Sequence, residues 1–380
     1  MFAAPRGARP KTARMNIVVV GGGIVGTMHA LFAIQRGYRV VHIEREDEAR
    51  GASVRNFGLV WISGRAAGGD LELALRARHL WEKIAVDVPE VGFRPNGSLT
   101  VAGNDAEVAV LEEVVRSPDA DRRGVRLIDR SEAQRLNPAL HGNFSAALHC
   151  VHDGAVEPRK AVRAIQSYLR QRGDYTWLPG REVVGVDAHR VIDDRGETHH
   201  GDLVVLTTGA WHRGMLAQHT ACVRRVRLQM LETEPYGEKL TTSLADGDSL
   251  RYYPAFDVPA LKGLGAQALI AREHHMQLLV VQRLDGSLTI GDTHAYSEPF
   301  DFDLDELPYA HLLATAERIL GRSLPPVRRR WAGVYSQLRP GTSGLYHRSK
   351  VAPGVILVTG PGGRGMTCSP AIAEETLASS

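Results

Sequence analysis

The most constraining feature of this sequence is a glycine-rich motif that directly follows a short apolar run. Ile17-Val18-Val19-Val20 is β-branched and typical of a buried parallel strand, and Gly21-Gly22-Gly23-Ile24-Val25-Gly26 comes next. Residues 24–32 then place apolar side chains on one helical face, and residues 40–43 predict a second strand. This order predicts the βαβ unit that binds dinucleotides.

Each part of the motif has a defined task in such a unit. Gly21 permits the tight turn, Gly23 lets the backbone approach a pyrophosphate, and Gly26 lets the helix pack close to the strand. The free N–H groups at the start of the helix offer a positive dipole end to the phosphates. Glu44 ends the second predicted strand, 18 residues after Gly26, where a carboxylate would bind a ribose.

Composition excludes several classes of protein. The formal net charge is only +3 and the arginines are scattered, so no nucleic-acid partner is predicted. No apolar run of about 18 residues occurs, so no membrane span is predicted. The cysteines Cys150, Cys222 and Cys368 are few and far apart, which predicts no disulfide framework, no metal site and a cytoplasmic location. Residues 1–14 lack the apolar core of a secretory signal and are predicted to form a disordered arm.

The rest of the pattern is discontinuous. Segments typical of a parallel sheet lie at 16–44, near 183–206 and at 355–358. Segments that alternate like strands of an antiparallel sheet lie at 227–235, 276–283 and 286–291. Helices are predicted at 71–86, 105–116 and 306–320, and a last one near Ser369-Pro370. A nucleotide-binding domain interrupted twice by a substrate domain accounts for this order.

Three segments resemble a known family. The N-terminal motif, the run from Asp202 to Trp211 and the closing run from Gly360 to Thr367 resemble the flavin-dependent amine and amino-acid oxidases, the family of D-amino-acid oxidase, glycine oxidase and sarcosine oxidase. The resemblance covers nearly the whole chain from residue 15. It implies an α/β fold: an FAD-binding Rossmann-like domain with a βαβ fingerprint, interrupted by an antiparallel-sheet α+β substrate domain. It also implies an enzyme that oxidises a C–N bond to an imine, which water hydrolyses.

The domain boundaries follow from combining the pattern with this resemblance. The FAD-binding domain is predicted at 15–90, 148–215 and 329–380, and the substrate domain at 91–147 and 216–328.

The resemblance also implies the cofactor contacts. Relatives with covalent flavin carry a His in an early loop or a Cys in a late motif, and this chain has Val54-Arg55 and Gly333-Val334-Tyr335 there, so noncovalent FAD is predicted. The closing glycine run could be a second dinucleotide motif, but no strand or ribose carboxylate follows it, and the resemblance places it against the flavin ring. The implied contacts are Gly21, Gly23, Ile24, Val25, Gly26, Glu44, Arg45, Ser53, Asn56, Val184, Gly209, Gly362, Gly363, Arg364, Gly365, Met366 and Thr367.

A narrower resemblance concerns the substrate. The runs 55–58, 251–254 and 291–294 look like a subfamily associated with phosphonate catabolism, which implies an aminophosphonate such as 2-aminoethylphosphonate or an N-methylated or hydroxylated relative. Sarcosine oxidases carry a Lys that assists oxygen at the position of Thr289, so O2 or another compound accepts the electrons here.

The predicted catalytic or substrate-binding residues are His294, Tyr335, Arg364 and Tyr252. Each has a structural alternative: His294 can be a buried structural histidine, and of the adjacent Tyr252 and Tyr253 one should face inward and one outward. Arg364 is a bulky cation within a glycine turn and is predicted to contact an anion or the flavin. Weaker candidates for an anion contact are Arg55 and Arg283, whereas Gln229 and Met230 are predicted to be part of the sheet and His274-His275 to be solvated.

Three hypotheses of function follow. The first is an FAD-dependent oxidoreductase acting on a small anionic amine, either an aminophosphonate or an amino carboxylate of the glycine, sarcosine or D-amino-acid type. The second is an NAD(P)-linked dehydrogenase on a related fold. The third is a flavin-binding protein without turnover.

Overall fold

The computed structural model describes residues 14–212 and 214–379. The predicted N-terminal arm lies outside the described residues, apart from its last residue, Arg14. The Arg14 guanidinium forms an ion pair with Asp174 at 2.9 Å.

The described residues form nineteen β-strands. In chain order they are β1 (Asn16–Val20), β2 (Arg39–Ile43), β3 (Leu59–Val60), β4 (Ser98–Ala102), β5 (Val125–Asp129), β6 (Ala146–Cys150), β7 (Gly154–Ala155), β8 (Tyr175–Leu178), β9 (Val183–Asp187), β10 (Arg190–Asp193), β11 (Thr198–His200), β12 (Leu203–Leu206), β13 (Val223–Pro235), β14 (Ser243–Ala245), β15 (Leu279–Gln282), β16 (Ser287–Gly291), β17 (Val327–Leu338), β18 (His347–Ala352) and β19 (Val355–Thr359).

The same residues form ten α-helices. They are α1 (Ile24–Gln35), α2 (Gly69–Asp87), α3 (Asp105–Val115), α4 (Ala120–Arg123), α5 (Arg130–Leu136), α6 (Pro158–Arg170), α7 (Ser249–Tyr252), α8 (Leu269–Glu273), α9 (Glu306–Leu320) and α10 (Gly365–Ala378). Within the described ranges, none of these helices has the length and apolar character needed to cross a membrane.

A six-stranded sheet carries the predicted βαβ unit. Its order is β18-β19-β12-β1-β2-β8, and all neighbours are parallel except the edge strand β18. Helices α1, α2, α6 and α10 cover one face, where Met28, Trp81, Ile165 and Ile372 form a common core with Val19. The parallel strands end at one edge of the sheet, which is where α/β folds bind their ligands.

One strand was assigned to the wrong sheet. The segment 183–186, expected in the parallel sheet, forms β9 in a separate three-stranded antiparallel sheet of order β11-β10-β9. The parallel position beside β2 is taken by β8. The sequence gives little sign of β8 because it has only four residues and one of them is a polar threonine.

An eight-stranded sheet forms the second layer, in the order β17-β13-β16-β15-β14-β4-β6-β5. All neighbours are antiparallel except the pair β14 and β4. The fold class predicted from the sequence is confirmed: a Rossmann-like parallel sheet is combined with a mainly antiparallel one. The predicted boundaries at 147/148 and 328/329 fall inside β6 and β17, two strands of the eight-stranded sheet. The division into domains stays a prediction.

The last helix begins earlier than predicted. It starts at Gly365, directly after a 3-10 turn at Gly362–Arg364, so that Pro370 lies inside the helix. Proline cannot donate a backbone hydrogen bond to the residue four positions earlier, which is Met366. The indole of Trp81 on α2 supplies the missing donor, with Nε1 3.0 Å from the Met366 carbonyl oxygen. This hydrogen bond from another helix accounts for the tolerated proline.

Candidate active site

A large cavity of about 1210 Å³ lies between the carboxyl ends of the parallel strands and the eight-stranded sheet. Both glycine runs line it, so the two ends of the described chain meet at one cavity. Every predicted cofactor or catalytic residue lines this cavity except Gly26. Its volume exceeds the range of about 300–1,000 Å³ typical of small-molecule sites, which leaves room for a dinucleotide and a small second ligand.

Glycine is required at two points of the first motif. Gly21 has a φ of +107°, and a Cβ there would lie 2.4 Å from the Thr207 carbonyl oxygen. A Cβ on Gly26 would lie 2.0 Å from the Gly21 carbonyl oxygen, so any side chain would push α1 away from β1. Gly26 therefore lies at the contact between α1 and β1, behind the residues that line the cavity.

Polar side chains hold the turn of the first motif in place. The Glu44 carboxylate accepts hydrogen bonds from the backbone N–H groups of Gly22 at 2.5 Å and Glu46 at 3.0 Å. Burial lowers the pKa of His42 to about 4, so its ring is neutral. The His42 Nε2 lies 3.0 Å from the Gly21 carbonyl oxygen, to which it donates. Sequence reasoning missed His42, which looks like an ordinary strand residue.

The outer end of the cavity carries an exposed aromatic ring. The Arg45 guanidinium lies 4.3 Å from the ring centre of Trp211, and Trp211 is 58% exposed. Val184 and Gly209 line the same cavity. Trp211 was not predicted as a contact, although it closes the Thr-Thr-Gly-Ala-Trp run.

The loop before β3 has two anchoring side chains. Ser53 Oγ accepts a hydrogen bond of 2.9 Å from the backbone N–H of Ile24, the first residue of α1. Asn56 donates to the carbonyl oxygens of Ala52 and Ser53 and accepts from the N–H of Gly58. The Asn56 amide is therefore engaged within its own loop, and Ser53 ties that loop to the start of α1.

The cavity wall contains buried polar atoms with unused hydrogen-bonding capacity. Four residues that line the cavity have a buried side-chain atom without a hydrogen bond of ordinary geometry among the described residues: Trp61 Nε1, Thr208 Oγ1, Tyr335 Oη and Gln337 Oε1. Buried polar groups in folded proteins nearly always have a partner. Together with the glycine turns at both ends, these atoms fit a large polar ligand that spans the cavity.

The two adjacent tyrosines both face the cavity, so the prediction that one points outward is wrong. Tyr252 stacks on His294 with ring centres 4.6 Å apart, and Tyr253 meets Tyr252 edge-on at 5.0 Å. Residues 249–252 form the short helix α7 instead of a strand, so side chains do not alternate between two faces. Burial raises the pKa of both tyrosines, which stay neutral at ordinary pH.

Two arginines lie at the inner end, Arg65 buried and Arg364 half-buried. Arg364 contacts Asp70 at 3.4 Å, and its pKa is lowered by burial and by the neighbouring Arg65. Arg65 is only 5% exposed, and its Nε donates to the Trp61 carbonyl oxygen at 2.8 Å. Among the described residues, no carboxylate pairs with Arg65. Asp70 therefore pairs with one of two neighbouring guanidinium groups, and the positive charge left over suits an anionic ligand. Sequence reasoning missed Arg65.

Other sequence candidates have structural roles. Arg283 does not line the cavity, and it donates to Thr289 Oγ1 at 2.7 Å and to the Phe57 carbonyl oxygen at 2.5 Å. Gln229 and Met230 are buried in β13, as expected for residues of the sheet. The remaining candidates are placed as follows: Arg55 lines the cavity but donates to the Ala332 carbonyl oxygen, His274 is half-buried 3.5 Å from Asp305, and His275 is exposed at the cavity rim.

One cluster of possible metal ligands occurs in the part of the chain that the structure describes. Asp193, Glu197 and His199 bring their ligating atoms within 4.8 Å of one another. The Arg181 guanidinium forms ion pairs with both acids, at 2.9 Å from Asp193. This fixed cation already offsets one of the two negative charges and occupies both acids.

Comparison with known proteins decides the family. The family described as DAO, FAD dependent oxidoreductase, matches residues 16–378. The chain belongs to this family. FAD is therefore the cofactor of this FAD-dependent oxidoreductase, and the cavity fits it in size, in its two glycine turns and in its buried polar atoms. The hypothesis of an NAD(P)-linked dehydrogenase is not supported.

This chain is similar to relatives whose names give different substrates. It is 26% identical over 227 residues to one component of the anaerobic glycerol-3-phosphate dehydrogenase of Escherichia coli, and the match covers 57% of this chain but only 40% of that relative. It is 26% identical to the glycine oxidase of Pseudomonas aeruginosa over 94% of this chain and 92% of the relative. The crystal structure of glycine oxidase from Geobacillus kaustophilus has the same fold, with a TM-score of 0.76, 20% identity, and coverage of 97% of this chain and 94% of that one.

Proposed function

We propose that this protein oxidises the C–N bond of a small amine that carries an anionic group, giving an imine that water hydrolyses to a carbonyl product and an amine or ammonia. The observation that carries the proposal is the anion site formed by Arg65 and Arg364 in the cavity that fits FAD. The full-length similarity to a glycine oxidase supports amine chemistry. A small amine needs such an anchor because it has few other groups to recognise.

The residues at the two glycine turns would hold the cofactor. The turn at Gly21 and Gly23 and the start of α1 suit the pyrophosphate. Glu44 suits the ribose, and its present hydrogen bond to the Gly22 N–H would have to adjust. The start of α10 lines the inner end, where a positive dipole end favours a reduced, anionic ring.

FAD, when bound, accepts a hydride from the carbon atom next to nitrogen. The side chains of this protein therefore have three tasks: to fix the anionic group, to orient the C–H bond, and to select the deprotonated amine. Arg65 and Arg364 suit the first task. Tyr252, Tyr335 and His294 surround the space beside them and suit the second.

The anionic group is proposed to be a phosphonate. A phosphonate presents three oxygens and up to two negative charges, so it can satisfy two guanidinium forks at once, whereas a carboxylate is matched by one. The alternative, an amino carboxylate, is supported by the glycine oxidase relatives. The two hypotheses differ in which anion the pair of arginines prefers.

Anaerobic bleaching of the flavin tests the proposal. Purified, yellow holoenzyme is mixed without oxygen with 2-aminoethylphosphonate, glycine, sarcosine and D-alanine, and the flavin absorbance is followed. We expect the aminophosphonate to bleach it at the lowest concentration. Preference for a carboxylate would overturn the phosphonate assignment, and a flavin that no amine reduces would favour a binding protein without turnover.

Three further properties belong to the proposal. FAD is held noncovalently, which is supported by Val54-Arg55 and Gly333-Val334-Tyr335 at the positions where relatives with covalent flavin carry a His or a Cys; acid precipitation should release the intact cofactor. The electron acceptor is O2 or another oxidant, and the rate at which air reoxidises the bleached enzyme decides between them.

A reducing cytoplasmic location is supported by the free thiols of Cys150, Cys222 and Cys368.

A further inference from the structure

A buried carboxylate lies in the cavity without an ion-pair partner from arginine or lysine among the described residues. Asp292 follows β16, is 4% exposed and lines the cavity. Its backbone is joined to Gln277 by two hydrogen bonds, of 2.9 and 3.3 Å. The Oδ1 atom accepts only a long hydrogen bond of 3.4 Å from Gln277. The Oδ2 atom lies 3.7 Å from His294 Nε2, beyond hydrogen-bonding distance, and no other described cation pairs with it.

The neighbouring histidine has a fixed tautomer. His294 Nδ1 lies 2.9 Å from the His275 carbonyl oxygen. A carbonyl oxygen can only accept, so Nδ1 carries the hydrogen. In the neutral ring Nε2 is then an unprotonated lone pair, and it faces the Asp292 carboxylate. Two buried acceptors thus face each other across 3.7 Å, and a proton placed on Nε2 would lie against the carboxylate.

We propose that Asp292 and His294 act as a dyad in which His294 takes the proton from the ammonium group of the substrate and Asp292 is the positioning residue that stabilises the resulting imidazolium. This inference rests on the proposed function. The N–H bond of the ammonium breaks and its electron pair stays on nitrogen. The proton forms a new N–H bond at His294 Nε2, and the Asp292 carboxylate balances the imidazolium charge. The free nitrogen pair then supports loss of hydride from the adjacent carbon.

Tyr252 lies beside the dyad and reaches the turn that carries Arg364. The Tyr252 ring stacks on His294 at 4.6 Å, and its hydroxyl lies 3.9 Å from where a Cβ on Gly363, next to Arg364, would stand. A short substrate can therefore place its anion on the arginines and its nitrogen at the dyad. Burial raises the pKa of the Asp292 carboxyl, which brings its proton affinity closer to that of an amine.

The other side chains around the dyad keep one charge state through the neutral pH range. The titratable or charged side chains that face it are Tyr252 of α7, Tyr253 directly after α7, His275 beyond α8, Tyr296 after β16, Arg224 of β13, which stacks on Tyr296 at 4.1 Å, and Tyr335 of β17. Burial raises the pKa of the four tyrosines, so they stay neutral through the neutral range. Burial lowers the pKa of His275, so it is uncharged there.

The test is the pH dependence of anaerobic bleaching by 2-aminoethylphosphonate in rapid-mixing experiments with holoenzyme. In the wild type the limiting rate should be high at neutral pH. In Asp292→Asn, which keeps shape and the Gln277 contact, it should fall about 100-fold at pH 7. It should recover towards pH 10, because a primary amine with a pKa near 10.4 loses its proton to solvent there.

Two companion variants sharpen the result. His294→Gln should show the same alkaline recovery, and the double variant should be no slower than the slower single one, since both residues serve one proton. Asp248→Asn removes another aspartate that lines the cavity, one that faces Arg251 at 3.7 Å, and should keep the wild-type profile. A yellow spectrum confirms that each variant is folded, and His294→Gln carries the test if Asp292→Asn does not fold.

The outcomes separate the dyad from the proposed function. A uniform loss of rate at every pH, or an unchanged profile in Asp292→Asn or His294→Gln, overturns the dyad while the amine oxidation stands. A wild-type flavin that no amine bleaches overturns the proposed function, and the dyad with it.

Discussion

At the level of single residues, charges of both signs line the cavity. The proposed anion site holds Arg65 and Arg364, the proposed dyad holds Asp292, and Tyr252 stacks on His294 of that dyad. Arg364 could be predicted because a cation inside a glycine turn is conspicuous. Arg65 could not, because an arginine in an irregular segment resembles a surface residue until the fold buries it. Asp292 was hidden in the same way beside the more noticeable His294.

Arg65 provides the sharpest single-residue prediction. Arg65→Gln should raise the dissociation constant of 2-aminoethylphosphonate about 10- to 100-fold, because a hydrogen bond between charged groups contributes about 1.5–3 kcal/mol. The limiting bleaching rate should change little, since the lost interaction binds the substrate before and during the reaction equally. The concentration dependence of anaerobic bleaching measures both quantities.

The control for this variant is Arg251→Gln. Arg251 also lines the cavity, but its guanidinium is engaged by the Gly265 carbonyl oxygen and faces Asp248. We expect the dissociation constant to change less than about threefold, as for a surface ion pair. Equal effects of the two variants would contradict the assignment of the anion site to Arg65.

At the level of elements, the last helix, α10, depends on a hydrogen-bond donor from helix α2. The sequence predicts a start at Pro370 because proline suits the first turn of a helix. The structure starts α10 five residues earlier, at Gly365. The orphaned Met366 carbonyl is satisfied by Trp81, 285 positions away in the sequence. No local pattern can reveal such a donor, so the boundary error has a tertiary cause.

This pairing predicts a specific rescue. Trp81→Phe should lower the unfolding free energy because it leaves the Met366 carbonyl without a donor, at a cost of about 1–3 kcal/mol in addition to the lost packing. Pro370→Ala supplies a backbone N–H at the right position. In the Trp81→Phe background, the effect of Pro370→Ala on the unfolding free energy should be more stabilising by about 1 kcal/mol than its effect in the wild type. Urea unfolding of the four proteins measures the difference, and equal effects of Pro370→Ala in both backgrounds would refute the proposed compensation.

At the level of the whole molecule, the sequence was informative about the two ends of the cavity and less so about the strands between them. Both glycine runs were predicted to meet at one ligand, and they line one cavity. The assignments of 183–186 and of β8 failed because short strands carry too little periodicity to identify their sheet. Strand β17 begins far from the cavity and ends with Tyr335 and Gln337 lining it, so a boundary drawn in sequence divides one continuous strand.

Because the cavity lies between the two sheets, loss of FAD should weaken the molecule locally. A ligand present at 100 times its dissociation constant stabilises the folded state by about 2.7 kcal/mol. Hydrogen exchange in apoprotein should therefore rise in the loop 51–58 and in the turn 362–367, which border the cavity. Exchange should stay unchanged in α9, whose apolar face belongs to a separate core.

ADP, which resembles only the nucleotide half of FAD, should restore protection near Gly21 and Glu44 but not in the turn 362–367. Protection of that turn by ADP, or its absence with FAD, would contradict a cofactor that extends from the first glycine motif to the start of α10.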